Sequence, residues 1–258
     1  PVVGACLVRQ ARAGAAPHAP FSMAPVRDLD IPLEQADLGS IRAMITPDLG
    51  SAAMSNAYRS IFAERSGLFR HHFAAAIDAS PDFTDGANWF EVLRGVNFGA
   101  ARGARVRDHR NDLSPNVVDN VDRGLAYSLA NVAEAHLQQS RIARAWLDLF
   151  EDIDVVICPA ASSTPFPHDQ WSVGEIDGKA METYMRWLGI TYLPTMALAC
   201  GVALPCGLDQ AGMPFGIQVL SAPGNDRLVA EVARALESVL QGHDATRRPL
   251  PNLESLRS

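Results

Sequence analysis

The chain has 258 residues, 48% of them hydrophobic, a formal net charge of −7 and a mean hydropathy close to zero. That size and apolar fraction suit a soluble globular protein with a sizeable core, in one large domain or two small ones. No Lys/Arg-rich block is present to neutralise phosphates, so no nucleic-acid partner is expected. Charged residues interrupt every apolar run before it could span a bilayer, so no membrane span is expected either.

The four cysteines, Cys6, Cys158, Cys200 and Cys206, form no CxxC pair. They are too sparse for a disulfide scaffold and read as buried thiols in a reducing cytoplasm. The opening residues are apolar, but Arg9 and Arg12 lie inside the run, the reverse of a signal peptide's order. A start at Pro1 instead of Met suggests sequence upstream. Lysine occurs once, at Lys179. With the many alanines, that suggests a GC-rich bacterial genome.

In chain order, a short helix-like stretch opens the chain, then a connection punctuated by Pro17, Pro20, Pro25 and Pro32. Residues 41–45 form an apolar run that reads as a strand, closed by Thr46-Pro47-Asp48-Leu49-Gly50. Over 52–78, Ile61, Leu68, Phe69, Phe73 and Ile77 fall at helical spacing. Residues 89–110 predict a helix, looser around Gly99 and Gly103. Ser114-Pro115 resembles a helix start, and the helix it opens runs to about Phe150, with Gly124 marking a break or close packing. Val155-Val156-Ile157-Cys158, ended by Pro159, predicts a strand buried on both faces. A short helix is expected over 181–188 and a strand over 201–204 ended by Pro205-Cys206-Gly207. A turn at Asp209-Gln210-Ala211-Gly212 leads into a returning strand over 215–220. An amphipathic helix over 226–240 closes the series.

Helices alternating with short apolar strands predict an α/β fold, a mixed β-sheet covered by helices on both faces. Residues 1–35 read as a connecting segment, 36–240 as the core and 241–258 as a tail.

One ordered set of motifs goes further. Val202-Ala203-Leu204-Pro205-Cys206-Gly207-Leu208 is followed by Gly212-Met213-Pro214-Phe215-Gly216-Ile217-Gln218-Val219-Leu220, then Asn225-Asp226-Arg227-Leu228. Gly212 supplies a turn conformation, Gly216 permits close backbone approach, and Gln218 can pair its amide with neighbouring backbone. Upstream lie the strand 154–159, the helix 141–150, the stretch from Asp108-His109-Arg110 through Ser114-Pro115 to Gly124, and the strand 41–50. Together they resemble the carboxy-terminal portion of the amidase-signature family, which includes bacterial amidases and the A subunit of glutamyl-tRNA amidotransferase. The resemblance covers roughly residues 30–240. The chain departs from it at Leu198-Ala199-Cys200, where the family usually has Gly-x-Pro near its substrate pocket.

The resemblance implies hydrolysis of C–N amide bonds by a Ser–Ser–Lys triad with backbone N–H groups holding the oxyanion. In the family those three residues precede the region matched here. This chain has no Gly-Gly-Ser-x-Gly loop, and Lys179 sits in the polar turn Glu175-Ile176-Asp177-Gly178-Lys179. No catalytic residue is therefore expected in the chain, and the chain alone should be inactive. Ser162-Ser163, the one adjacent serine pair, reads as a loop lining a pocket or capping a strand end. Thr164, Pro165, Phe166, Tyr192 and Thr195 are the candidate substrate-pocket residues, because they follow apolar strands or lie beside the family's pocket segment. No metal is expected: His71-His72 are adjacent on a predicted helix, point apart and lack a supporting carboxylate. Cys158 ends an apolar strand and reads as an inert thiol, not a partner for His168. No cofactor is called for. Expected partners are a small-molecule amide substrate, once the amino-terminal half is supplied, and self-association or a partner chain. A non-catalytic binding or assembly module is the alternative reading.

Overall fold

The computed structural model describes residues 2–12 and 32–250. The proline-punctuated stretch through Pro17, Pro20 and Pro25 and the last residues of the tail lie outside them.

Five strands build one sheet in the order β2-β1-β3-β7-β6. They are β1 (Arg42–Ile45), β2 (Ala75–Asp78), β3 (Val155–Pro159), β6 (Cys200–Leu208) and β7 (Pro214–Ser221). A small hairpin, β4 (Glu175–Ile176) and β5 (Lys179–Ala180), stands apart. The helices are α1 (Val2–Arg12), α2 (Asn56–Phe69), α3 (Gly86–His109), α4 (Pro115–Ala126), α5 (Leu129–Leu149), α6 (Gly189–Met196) and α7 (Asp226–Gln241). β1 pairs parallel with both β2 and β3, whereas β7 runs antiparallel to β3 and to β6. The sheet is thus mixed, as the hairpin motif required.

Every residue of β3 is buried, which explains its unbroken apolar run at the sheet centre. β7 separates the two helical layers by its alternation. Phe215 meets Tyr58 of α2 edge-on at 5.2 Å, while Gln218, of opposite parity, reaches Ile190 of α6. On α7, Val229, Val232, Ala233, Leu236 and Leu240 are buried at helical spacing. Arg42 grips Asp154 with two guanidinium bonds and its own backbone N–H, which fixes the entrances of β1 and β3. That grip holds the Asp154 carboxyl below its ordinary range.

Several expectations shift. The helix expected through residue 78 stops at Phe69; a single 3₁₀ turn follows, and residues 75–78 form β2. Phe73 and Ile77 matched a helical period by coincidence, and Ala-Ala-Ile offers no alternation to mark an edge strand open to solvent on both faces. The single helix expected over 115–150 is two. Ser128 accepts from Asn131 N and the Asn131 side chain accepts from Ser128 N, a capping box that starts α5 afresh. Gly124 marks close packing and not the break, since α4 continues past it to Ala126. α3 runs unbroken through Gly99 and Gly103. The helix expected over 181–188 falls later: a 3₁₀ turn at Arg186–Leu188 leads into α6, which carries Pro194 in its last turn. β6 continues past Pro205-Cys206-Gly207 to Leu208 through a register irregularity instead of ending there.

Leu198 joins α6 to β6 with φ at 56°, and its side chain is 70% exposed. A left-handed backbone costs an L-residue about 1–2 kcal/mol, and an exposed side chain returns little of it. Leu198→Gly, which restores the residue type the family resemblance places here, is expected to stabilise the fold by roughly 0.5–1 kcal/mol in urea denaturation, after glycine's unfolded-state entropy is counted. A loss of stability would show that the leucine side chain holds this corner.

Asp82 links the loop before α3 to α5. It accepts from Thr84 N at 2.9 Å and from Arg141 at 2.8 Å, and Arg141 also donates to Thr84 O. The bonds from Thr84, with Arg141 adding, pull its carboxyl down to about 2. A carboxyl depressed by folding adds stability that is fully present above its unfolded value near 4 and is lost as pH falls through the folded value. The urea midpoint should therefore drop more steeply between about pH 4 and 2 in the wild type than in Asp82→Asn. Equal slopes would remove Asp82 from the acid response.

Candidate functional site

In open α/β sheets, ligands bind in the crevice beyond the carboxyl ends of the strands. Here β1 and β3, parallel neighbours, deliver two loops to the same end of the sheet. The loop after β1 is wound around Thr46. Its buried hydroxyl accepts from Leu49 N at 3.0 Å and contacts Ser80 Oγ at 2.8 Å, while Thr46 N donates to Ile157 O. Leu49 and Gly50 both take positive φ, and a Cβ at Gly50 would stand 3.0 Å from Pro81 O. The loop after β3 is tied to it, because Ser55 N donates to Ser162 O at 2.9 Å. Ser55 also caps α2 through its hydroxyl.

A cavity of about 540 Å³ lies between the β1–α2 loop, the β4–β5 hairpin and the start of α6. Apolar Ala52, Met54, Ile176 and Leu193 alternate around it with charged groups. Asp48 pairs with Arg59. Arg186 pairs with Glu91 at 2.8 Å, and Glu91 also accepts from Thr183. Asp177, at the hairpin turn, accepts from Asn56 N at the start of α2 at 2.6 Å. Asp48, Asp177 and Glu182 stand against Arg59, Lys179 and Arg186 in the lining, so the cavity carries no net charge. A groove of about 360 Å³ runs on the other side of α6, against α3 and α5, with Phe90, Arg94, Phe98 and Thr195 in its wall.

Tyr192 borders the larger cavity. Its ring stacks on Phe90 at 4.1 Å and an interplanar angle of 7°. Its hydroxyl is buried without a partner among the described residues. Burial, reinforced by Glu91 and opposed by Arg186, pushes that phenol up to about 12, so it stays protonated at neutral pH. Thr195 is exposed in the groove wall and donates to Tyr192 O at 2.6 Å. Phe166 packs edge-on against Trp187 at 5.4 Å, just ahead of α6. Thr164 and Pro165 are exposed and line neither hollow. The five candidate residues therefore do not converge on one cavity. Two lie on α6, one packs beside it, and two stand outside.

Ser162 is buried with its hydroxyl unpaired among the described residues, while Lys179 is exposed on the β4–β5 hairpin. Cys158 is wholly buried, accepts from Gln218 Nε2 at 3.2 Å, and is pushed up to about 12 by desolvation. It is no thiolate at neutral pH. His71 and His72 do not point apart as a helix would require. They sit on the 3₁₀ turn after α2 with their rings 4.2 Å apart, both exposed. Among the described residues no group of three His, Cys, Asp or Glu side chains gathers as metal ligands.

The model of the family described as Amidase matches residues 43–230. The chain belongs to the amidase family. The A subunit of glutamyl-tRNA(Gln) amidotransferase from Cyanothece sp. is 35% identical over 95 residues, covering 37% of this chain and 18% of that protein. Its counterpart from Thermosynechococcus vestitus is 30% identical over 192 residues, 69% of this chain and 36% of its own length. Among solved structures, a bacterial aryl acylamidase of the amidase-signature family superposes with a TM-score of 0.76 at 17% identity, over 92% of this chain and 52% of that one. The 6-aminohexanoate cyclic dimer hydrolase gives 0.75 at 17% identity, over 98% of this chain and 55% of that one. This amidase-family chain thus spans about half the length of the solved structures it matches, and a smaller share of those curated relatives.

The cavity charges Asp48, Arg59 and Arg186 escaped the sequence reading. The signal for Asp48 was present, since a turn-rich loop directly after a parallel strand is where site residues gather.

Proposed function

We propose that this chain is the carboxy-terminal part of an amidase that cleaves a C–N amide bond, and that it supplies sheet and one wall of the substrate pocket. The nucleophilic serine, the bridging serine and the lysine base belong to the part of the fold it does not span. The observation that carries this reading is the placement of Lys179. A lysine must be neutral to take a proton, which requires burial beside hydroxyl groups. Lys179 is exposed at the mouth of the cavity, and no bond between it and a serine exists among the described residues. A cavity without net charge, part apolar and part polar, suits a neutral amide better than a strongly charged ligand.

Within this reading Tyr192 and Thr195 belong to the wall, and Thr164, Pro165 and Phe166 to its rim. The chain forms one layered unit, completed by the rest of the fold. Four free thiols and no helix long and apolar enough to cross a membrane, among the described residues, fit a cytoplasmic enzyme.

The test is hydrolysis of a small aryl acylamide and a primary amide by the purified 258-residue chain. No turnover above the uncatalysed rate is expected, and Lys179→Ala should leave both that result and the melting temperature unchanged. Turnover lost in Lys179→Ala would make that lysine the base. Turnover surviving Lys179→Ala, Ser162→Ala and Ser163→Ala would demand a different mechanism. Either result ends the proposal.

A further inference from the structure

The groove between α3, α5 and α6 differs from the larger cavity in its charges. In the cavity, Asp48, Asp177 and Glu182 balance Arg59, Lys179 and Arg186. The groove wall holds one guanidinium, Arg94, and no carboxylate. Arg94 is half-buried on α3. Its Nη2 donates to Tyr184 Oη at 2.9 Å; among the described residues its Nε is buried without a partner and its Nη1 makes no bond. The guanidinium lies over the Phe98 ring, 4.3 Å from the centroid. A ring face steadies a cation without neutralising it. Arg102 approaches the same ring at 5.6 Å, but it is exposed and stands outside the groove lining. Arg42, Arg59, Arg141 and Arg186, by contrast, each face a carboxylate.

Taking a guanidinium partly out of water without a counter-charge is unfavourable, and a bound carboxylate offsets that with a charge-assisted hydrogen bond. The rest of the wall suits the remainder of such a ligand. Asn97, His136 and Gln139 line it with side chains that make no bond among the described residues, and Phe90, Val132 and Met196 give it apolar surface. A volume of about 360 Å³ fits a small molecule.

We propose that this groove is a binding site for an organic monocarboxylate, its carboxylate on Arg94 and a compact apolar body against Phe90, Val132 and Met196. The site goes beyond the proposed amide hydrolysis and does not depend on it: the ligand is charged, and the groove lies across α6 from the charge-balanced cavity. One cation beside apolar surface matches one negative charge on an apolar body. Inorganic phosphate, with more charge and no apolar part, leaves that surface unused.

The probes are benzoate, its neutral isostere benzamide, and inorganic phosphate, titrated into the purified 258-residue chain and followed by calorimetry and amide chemical shifts. Benzoate is expected to bind with a Kd on the order of 1 mM or tighter, and the other two at least about tenfold more weakly. Arg94→Gln should weaken benzoate by about tenfold or more, while Arg144→Gln, an exposed arginine of α5 outside the groove, should not. Val132→Trp fills the groove and leaves Arg94 in place, and it should also abolish binding. Shifts should gather over 90–98, 132–139 and 195–196. Benzamide or phosphate binding as tightly as benzoate would overturn the proposal. So would full affinity in Arg94→Gln or Val132→Trp, shifts centred on the β4–β5 hairpin, or no benzoate binding by a chain whose circular dichroism is that of a folded protein.

Discussion

Gly124→Ala is expected to destabilise the protein by at least about 2 kcal/mol, in spite of alanine's better helix propensity. In an open helix the same change would gain up to about 1 kcal/mol. Here α4 crosses α3 with glycine on glycine. A Cβ built on Gly124 stands 1.8 Å from Gly95 O and 2.2 Å from its carbonyl carbon. Those atoms are backbone, so no side chain can swing aside, and the helices have to part by more than 1 Å. Overpacking of a close contact typically costs about 1–3 kcal/mol, and a backbone clash belongs at the upper end. The neighbouring positions grade the effect. A Cβ on Gly95 meets Gly124 Cα at 3.1 Å and Tyr127 at 3.2 Å, and one on Gly99 meets the flexible end of Leu125 at 3.2 Å. Urea denaturation should therefore rank Gly124→Ala as the most damaging of the three and Gly99→Ala as the mildest. A Gly124→Ala variant as stable as the wild type would mean that α3 and α4 cross elsewhere.

That crossing also marks where sequence reading succeeds and fails. Gly124 stood out as an exception inside a helical pattern, but one residue cannot say whether it breaks a helix or lets another approach. The answer lies in Gly95, 29 positions earlier, and no local period connects the two. β3 was legible because a strand buried on both faces must be apolar throughout. β2 was not, because an exposed edge of Ala-Ala-Ile-Asp satisfies no pattern. The capping box of Ser128 and Asn131 was present in the letters, yet it lay within a run whose apolar spacing continued on both sides.

The site was less legible than the fold for a related reason. Asp48, Asp177 and Arg186 meet around one cavity although they come from a strand-end loop, a hairpin and a 3₁₀ turn. Each is unremarkable where it stands in the chain, since polar residues fill most loops. Only the parallel pairing of β1 and β3 brings the first loop to that end of the sheet. The candidates Thr164 and Pro165 differ in the opposite way. They follow the central strand, as site residues often do, but the loop carries them out to solvent beyond both hollows.

Gln218→Leu tests the joint that ties α6 to the sheet, and a loss of about 3 kcal/mol is expected. The Gln218 amide lies among three elements. Its Nε2 donates to Ile190 O of α6 at 2.8 Å, to Pro159 O at the end of β3 at 3.2 Å, and to Cys158 Sγ at 3.2 Å. Leucine nearly preserves volume but supplies no donor. Ile190 and Pro159 are both buried, so their carbonyls would lose this partner without gaining water. Each unpaired buried acceptor costs roughly 1–3 kcal/mol, whereas an exposed bond would cost far less. The consequence should be local as well as global. α6 carries Tyr192, which borders the larger cavity, and Thr195, which lines the groove on its other side, so loosening Ile190 frees both. Amide exchange in α6 should quicken more than in α7, which does not touch Gln218 through any of these bonds. A loss below about 1 kcal/mol with α6 exchange unchanged would show that Ile190 and Leu193, through packing alone, hold the helix in place. The amide would then serve to satisfy the end of β3, and the rigidity of α6 would come from hydrophobic contact.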